Sequence, residues 1–131
     1  MEQWIIPCNP KYYDVLNAFS ALKIIDWKQS NRSISVGDEV FIYVGKPVCA
    51  ILYKCKVNDA NYSIQKIDDS AFAINGEPYE HYGNYMELEL LEKYDSTKFS
   101  FEVLSANGLK GRIQGPRRLN ELTALLNGWL I

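Results

Sequence analysis

The segment from Glu39 to Val44 constrains the fold more than any other part of this chain. Side chains in a strand point alternately to opposite faces, and both alternating sets of this segment are apolar: Val40, Ile42 and Val44 on one side, Phe41 and Tyr43 on the other. A strand with two apolar faces needs a packed layer on each of them. We therefore expect this strand in the interior of a sheet that is covered on both sides.

Several other segments predict strands around it. Trp4 to Pro7 predicts a buried strand, whereas Cys49 to Val57 and Met86 to Leu90 alternate between apolar and charged positions as half-buried strands do. Gly111 to Gly115 predicts a further brief strand. In the segment from Cys49 to Val57, the alternation places four residues on the inner side: Ile51, Tyr53, Cys55 and Val57.

Helices are predicted at three places. Asn9 can cap a helix with Pro10 in its first turn, and the apolar face of that helix would consist of Tyr12, Val15, Leu16, Phe19 and Leu22. Phe99 to Ala106 predicts a short helix that ends at Asn107-Gly108. Leu119 to Leu126 predicts a C-terminal helix.

Two polar segments separate these elements. Asp26 to Ser35 predicts an irregular connection, and Asn58 to Asn84 predicts a long excursion over the surface, of which Tyr62 to Ile67 can extend a strand. Runs of adjacent strands with helices at the ends are typical of the α+β class. We expect one domain, residues 1–131, built as a small antiparallel β-barrel with flanking helices.

Composition argues against several classes of function. The formal net charge of −2 is unlike that of a protein held on nucleic acid by its overall charge. The sequence shows neither a membrane span nor a secretory signal, so we expect a cytoplasmic protein that does not bind membranes. The cysteines Cys8, Cys49 and Cys55 are odd in number and lack CxxC spacing, which favours reduced, buried thiols over disulfides or a zinc site.

Catalytic machinery is sparse in this sequence. The single histidine, His81, lies in a loop-like segment, and the sequence has no nucleophile motif, phosphate-binding glycine loop or dinucleotide fingerprint. The adjacent carboxylates Asp68 and Asp69 are expected to face water. We expect no catalytic residue, metal ion or cofactor; the alternative is a metal-dependent nuclease in which Asp38 and Glu87 meet.

Positive charge is concentrated towards the C-terminus. Acidic residues are missing from Val103 to Asn120, and four cations occur there: Lys110, Arg112, Arg117 and Arg118. These side chains would form a basic rim for a phosphate backbone together with Lys28, Arg32 and Lys46, whereas the alternative is a solvated loop. We place Arg117 and Arg118 at a helix N-terminus, where positive charge is unfavourable and hints at another use.

Aromatic residues suggest a pocket. Trp27 has only polar neighbours: Asp26, Lys28, Gln29, Ser30 and Asn31. A tryptophan in such a context favours a binding site for a flat ligand, with Tyr43 as a second aromatic wall. Trp4 lies within an apolar strand and is therefore expected in the core.

Motifs occur in a characteristic order along the chain: Trp4-Ile-Ile-Pro-Cys-Asn9, then Trp27-Lys-Gln-Ser30 followed by Val36-Gly-Asp-Glu-Val-Phe-Ile-Tyr43, then Gly45-Lys-Pro47, then Gly108-Leu-Lys-Gly-Arg-Ile-Gln-Gly-Pro-Arg-Arg-Leu119. In this order and spacing they resemble the EVE domain, a relative of the YTH, ASCH and PUA domains. The resemblance covers nearly the whole chain. It implies a PUA-like fold, a small β-barrel with flanking helices.

The resemblance also implies a function. Proteins of this kind bind nucleic acid, DNA or RNA, and hold a modified base, for example a methylated one, in an aromatic pocket, often in prokaryotic defence. Trp27 and Tyr43 would stack on the base, and its edge would contact Ser30, Asn9 and Gln114. Phosphates would bind to Lys28, Lys46, Lys110, Arg112, Arg117 and Arg118.

Cleavage of the bound nucleic acid would come from a partner nuclease, because this sequence carries no nuclease module of its own. Two other functions remain open at this point. One is a small nucleotide-processing enzyme with Asp38 or His81 as its acid or base. The other is a protein-interaction module whose aromatic patch binds a partner.

Overall fold

The computed structural model describes residues 1–67, 70–72 and 82–128; His81, Asp68 and Asp69 lie outside these residues. The strands in the described part are β1 (Gln3–Cys8), β2 (Ile24–Lys28), β3 (Glu39–Val44), β4 (Ala50–Ile64), β5 (Tyr82–Lys93) and β6 (Arg117–Arg118). The α-helices are α1 (Val15–Ala21), α2 (Phe101–Ala106) and α3 (Thr123–Leu126). Single turns of 3₁₀-helix lie at Ser70–Phe72 and Asn120–Leu122.

The six strands form one sheet in the order β2-β5-β4-β3-β1-β6. All neighbours are antiparallel except β1 and β3, which run parallel because α1 and β2 carry the chain back between them. The α+β prediction is therefore confirmed, but the prediction of a purely antiparallel sheet is wrong. The predicted barrel is also not seen: β2 and β6 form the two edges, and in the described residues no pairing joins them.

Strand β3 is covered on both faces, as its sequence predicts. One apolar cluster, here the α1-side cluster, includes Val40, Ile42 and Val44 with Trp4 and with Phe19 of α1. The other, the α2-side cluster, includes Phe41, Tyr43, Leu104 of α2 and Leu126 of α3. Trp4 is a core residue, as predicted, with 3% of its surface exposed.

The predicted alternation along β4 fails at one residue. Tyr53, Cys55 and Val57 pack in the α1-side cluster, but Ile51 packs in the α2-side cluster. Ile42 pairs with Tyr53 whereas Tyr43 pairs with Ile51, so β4 has one extra residue at this point. A bulge of this kind reverses the face to which the following side chains point.

Helix α1 begins later than predicted. Its cap is Asp14, whose carboxylate accepts a hydrogen bond from the backbone N–H of Asn17 at 3.2 Å, and Asn9 instead accepts from the backbone N–H of Lys11 at 3.0 Å in the preceding turn. Tyr12 therefore lies before the helix, and both Tyr12 and Leu16 are exposed rather than packed.

Three further predictions of local structure are wrong. The segment predicted as irregular contains part of β2, where Trp27 pairs with Met86 of β5. Arg117 and Arg118 form β6, paired with Ile5 and Trp4 of β1, and not the start of a helix, so no helix dipole acts on them. Gly111 to Gly115 contains no strand.

Strands β4 and β5 extend into the segment predicted as a surface excursion. Asn58 to Ile64 belongs to β4, so the predicted extension from Tyr62 to Ile67 holds as far as Ile64. The described helices are all too short to cross a membrane. The predicted cap after α2 is confirmed, because Gly108 has a φ of +111°.

Candidate functional site

A cavity of about 460 Å³ opens where β1 and β3 end. Because these two strands are parallel, with Cys8 paired to Val44, the residues that follow both strands meet at the same edge of the sheet. The cavity, here the Tyr43 pocket, is lined by Pro7, Cys8, Asn9, Tyr43, Gly45, Lys46, Cys49, Phe101, Arg112 and Ile113. Its wall therefore combines four separate segments of the chain.

The turn after β3 fixes one side of the Tyr43 pocket. The backbone N–H of Gly45 donates to the carbonyl of Cys8 at 2.9 Å, and the N–H of Val48 donates back to the carbonyl of Gly45 at 3.0 Å. These bonds tie the turn to the end of β1 and leave the side chain of Lys46 exposed. A cation is thus held at the mouth of the cavity.

Tyr43 supplies a neutral hydroxyl to the pocket. Burial raises the pKa of Tyr43 to about 12, and neighbouring Cys49 and Glu102 act in the same direction while Arg112 opposes them. The phenol therefore stays protonated at neutral pH. Its O–H group can donate a hydrogen bond to a ligand, as can the amide N–H₂ of Asn9.

Lys46 and Arg112 are the cations of the pocket, and neither forms a salt bridge with a carboxylate in the described part of the chain. By contrast, Arg117 pairs with Glu121 and Arg118 pairs with Glu2, each at 3.2 Å. A cation without a carboxylate partner is more available to an anion. The pocket can therefore attract a phosphate group, although Glu102 contributes some negative charge nearby.

The structure brings together four of the residues predicted for the site: Asn9, Tyr43, Lys46 and Arg112. It leaves the other predicted residues outside the wall of the Tyr43 pocket: Trp27, Ser30, Gln114, Lys28, Lys110, Arg117 and Arg118. Arg118 also stacks over the ring of Trp4, with 4.6 Å between the guanidinium carbon and the ring centroid. The predicted basic rim is thus divided, and only part of it borders the cavity.

Trp27 and Tyr43 lie on opposite faces of the sheet. Trp27 is half-buried against the α1-side cluster and meets the ring of Tyr13 edge-on at 5.7 Å, whereas Tyr43 belongs to the α2-side cluster. The two rings therefore do not face each other across one ligand. Trp27 sits on β2 at the sheet edge, and this position depends on pairing with β5, which lies far along the chain.

Sequence reasoning missed Phe101 and Cys49 as wall residues of the pocket. The sequence predicts Phe101 only as part of a helix and Cys49 only as part of a strand. The backbone N–H of Phe101 donates to the carbonyl of Cys49 at 2.9 Å, which brings the start of α2 to the pocket. No local pattern marks this contact, because it joins segments about fifty residues apart.

The residues considered for catalysis are engaged elsewhere. Asp38 is buried and accepts hydrogen bonds from the backbone N–H groups of Glu2 and Ser35 and from the indole of Trp4. Glu87 forms a salt bridge with Lys66 at 3.0 Å. Within the described ranges, no group of three or more His, Cys, Asp or Glu residues could hold a metal ion.

All three cysteines are free thiols, as predicted. Cys8 and Cys55 are buried, but Cys49 is only half-buried, so the prediction of burial holds for two of them. Burial raises the pKa of Cys8 to about 12 and raises the pKa of Cys55 still further. Cys49 is therefore the most accessible thiol, and it lies in the pocket wall.

Comparison with protein-family models and with curated proteins gave no match. Solved structures do match. ASCH from Zymomonas mobilis has a TM-score of 0.60 at 10% identity, over 96% of this chain and 94% of that chain. Rpa0253 from Rhodopseudomonas palustris has a TM-score of 0.58 at 13% identity, over 100% of this chain and 96% of that chain.

Atu2648 from Agrobacterium tumefaciens is similar to the same extent, with a TM-score of 0.58 at 15% identity over 99% of this chain and 94% of that chain. Identities this low show a shared fold and nothing finer. The predicted PUA-like architecture is thereby supported through its ASCH relative, without distinguishing the EVE domain from other relatives. The chain shares the fold of ASCH from Zymomonas mobilis over 96% of its length.

Proposed function

We propose that this protein binds nucleic acid and that the Tyr43 pocket holds one nucleotide of the bound strand, without catalysing a reaction. One observation carries the proposal: Asn9, Tyr43, Lys46 and Arg112, which sequence reasoning assigned to base and phosphate contacts, line a single cavity. The parallel pairing of β1 with β3 brings Asn9, Tyr43 and Lys46 to one edge, and Arg112 joins them from a separate segment. A bound nucleotide would give these four polar side chains a common use.

The size and chemistry of the pocket fit this ligand. Its volume of about 460 Å³ lies within the range of about 300 to 1,000 Å³ found for sites of small molecules. Lys46 and Arg112 offer charge to a phosphate, and Asn9 and Tyr43 offer hydrogen bonds. Phe101 and Ile113 supply an apolar wall for a base.

The charge distribution also supports local recognition over binding by the whole surface. The chain has a formal net charge of −2, so its overall field does not favour a polyanion. Affinity must come from a few well-placed cations. We therefore propose weak non-specific binding and a marked contribution from Lys46 and Arg112.

The finer part of the proposal comes from the resemblance to the EVE domain. It states that the bound base is modified, that the protein acts in the cytoplasm in defence, and that a partner nuclease cleaves the recognised strand. Because Trp27 packs on the opposite face of the sheet, the proposal assigns recognition of the modification to the Tyr43 pocket and not to Trp27. The ligand can be DNA or RNA, and a panel that contains both decides between them.

The test is a titration of fluorescein-labelled DNA and RNA oligonucleotides, single-stranded and duplex, modified and unmodified, at one fixed salt concentration. We expect Lys46→Ala and Arg112→Ala each to weaken binding about tenfold. Each should also reduce the slope of log affinity against log salt by about 0.7 for a single strand. Lys110→Ala is the matched control, since Lys110 is exposed near Arg112 but outside the pocket wall.

The proposal is overturned if both pocket variants bind like the wild type, or if Lys110→Ala loses as much affinity as they do.

A second experiment tests for catalysis. The same oligonucleotides are incubated with the protein and Mg²⁺, and the products are separated by electrophoresis. Intact oligonucleotides agree with a binding protein. If the oligonucleotides are cleaved and Lys46→Ala abolishes that cleavage, the protein is an enzyme and the proposal of a binding protein is wrong.

A further inference from the structure

We infer that the base stacks on Phe101 in the Tyr43 pocket, a role that sequence reasoning gave to Trp27. The inference rests on the proposed function, because it specifies how a nucleotide held in that pocket is oriented. It adds a binding residue and a ligand class: a nucleoside phosphate whose base contacts α2 and whose phosphate contacts the cations at the mouth.

Phe101 is the phenylalanine that the fold leaves accessible at this cavity. Phe41 and Phe99, its counterparts in the same apolar layer, are 0% and 5% exposed, whereas Phe101 is only half-buried and lines the pocket. Tyr43, the other aromatic wall residue, is 9% exposed. Phe101 therefore has more ring surface available to a ligand than Tyr43 has.

The position of Phe101 is fixed by backbone contacts. Its N–H donates to the carbonyl of Cys49, and the N–H of Ile51 donates to the carbonyl of Phe99, both at 2.9 Å. Ser100 caps α2 by accepting from the N–H of Val103 at 3.3 Å. These bonds hold the start of α2 on the first residues of β4. A stacking surface held in place before binding loses little freedom when the ligand arrives.

The two halves of the pocket wall match the two halves of a nucleotide. Phe101 and Ile113 are apolar, whereas Lys46 and Arg112 are cationic. A nucleotide likewise joins a flat base with apolar faces to a charged phosphate. Stacking on an aromatic ring strengthens binding by about fivefold or more per base. Trp27 cannot serve this pocket, because it packs on the opposite face of the sheet.

The experiment compares two small probes by NMR titration of the full chain: adenosine 5′-monophosphate and ribose 5-phosphate, which lacks the base. We expect the wild type to bind the nucleotide about fivefold or more tightly than the sugar phosphate. Phe101→Leu should bring the two affinities together by weakening only the nucleotide. Phe101→Tyr should keep the preference, and Trp27→Leu should leave it unchanged.

Unchanged binding of ribose 5-phosphate by Phe101→Leu shows that the variant is folded with an intact phosphate site. If Phe101→Leu keeps the full preference for the nucleotide, the inference is overturned while the proposed function stands. If the preference disappears in Trp27→Leu instead, stacking belongs to Trp27 and the inference is again overturned. If the wild type binds neither probe, the proposed function of the pocket fails and the inference fails with it.

Discussion

The indole N–H of Trp4 donates a hydrogen bond to Oδ2 of Asp38 at 3.0 Å inside the protein. The same carboxylate accepts from the backbone N–H of Glu2 at 3.0 Å and from that of Ser35 at 2.9 Å. Asp38 therefore joins β1, the loop before β3 and β3 itself. These hydrogen bonds stabilise the parallel strand pair whose ends build the pocket.

Replacing Asp38 with alanine should destabilise the fold without direct effect on the pocket chemistry. Three donors lose their acceptor, of which the indole N–H of Trp4 is buried and the two backbone N–H groups are partly buried, so we expect a loss of about 3 kcal/mol in the free energy of unfolding. Asp38→Asn keeps one acceptor oxygen and should lose less. Urea denaturation followed by tryptophan fluorescence measures both. Wild-type stability of Asp38→Ala would contradict this structural role.

The stability contributed by Asp38 should depend on pH. Burial raises the pKa of Asp38, but the hydrogen bonds from Glu2, Ser35 and Trp4 outweigh burial and hold it below its ordinary value. A lowered folded pKa gives stability that is complete above the unfolded pKa of about 3.9 and is lost as pH falls through the folded value. Unfolding free energies measured from pH 7 to pH 3 should therefore fall less steeply in Asp38→Asn than in the wild type.

Sequence patterns predict the centre of this fold well and its edges poorly. The apolar faces of β3 identify a strand covered on both sides, because that signal lies within six consecutive residues. Strand β2 shows no such signal, since Asp26 is charged but buried. Its carboxylate accepts from the hydroxyl of Tyr62 and from the backbone N–H of Lys66, so distant partners compensate for its burial. Because its polar residues are buried against distant partners, β2 has a sequence pattern that is typical of a loop.

The candidate site was predictable residue by residue but not as an assembly. Lys46 and Arg112 could be named from charge, but their convergence depends on the parallel pairing of β1 with β3 and on the docking of α2 beside β4. The same limit explains why Trp27 and Tyr43, which the sequence predicts to stack on one base, lie on opposite faces of the sheet, because side-chain direction depends on strand register. Long-range pairing determines which side chains share a face, and local sequence does not encode it.

Trp27 should act mainly on stability and not on the Tyr43 pocket. Trp27→Ala removes a half-buried ring that packs on Tyr13, and we expect a loss of about 1 to 3 kcal/mol, less than for a fully buried tryptophan. Affinity for adenosine 5′-monophosphate should stay within twofold of the wild type. Selectivity for modified over unmodified oligonucleotides, measured in parallel, should also be kept. Loss of that selectivity in Trp27→Ala would place recognition of the modification at Trp27.

Gly108 should not tolerate a side chain. Its φ of +111° is unfavourable for other residues, and an added Cβ would lie 2.8 Å from Cγ of Glu121. We expect Gly108→Ala to lose about 1 to 3 kcal/mol in thermal or chemical denaturation. Gly115→Ala is the matched control, because no atom lies within 4 Å of its added Cβ, and it should stay near wild-type stability. Equal stability of the two variants would contradict the positive φ of Gly108 and the close approach of Glu121 to it.

Cys49 should report occupancy of the Tyr43 pocket. The thiolate is the form that reacts with iodoacetamide, and burial raises the pKa of Cys8 to about 12 and that of Cys55 further, which keeps both protonated. Cys49 is half-buried in the pocket wall, so brief treatment of the native protein should alkylate Cys49 first. Peptide mass spectrometry identifies the modified residue, and a Cys49→Ser variant, which should resist modification, serves as the control.

The bound strand should protect Cys49. A saturating concentration of the best-binding oligonucleotide should slow its alkylation about tenfold or more, because only the small fraction of protein with an empty pocket can react. Alkylation of Cys49 at the same rate with and without the bound strand would place the nucleic acid elsewhere on the protein.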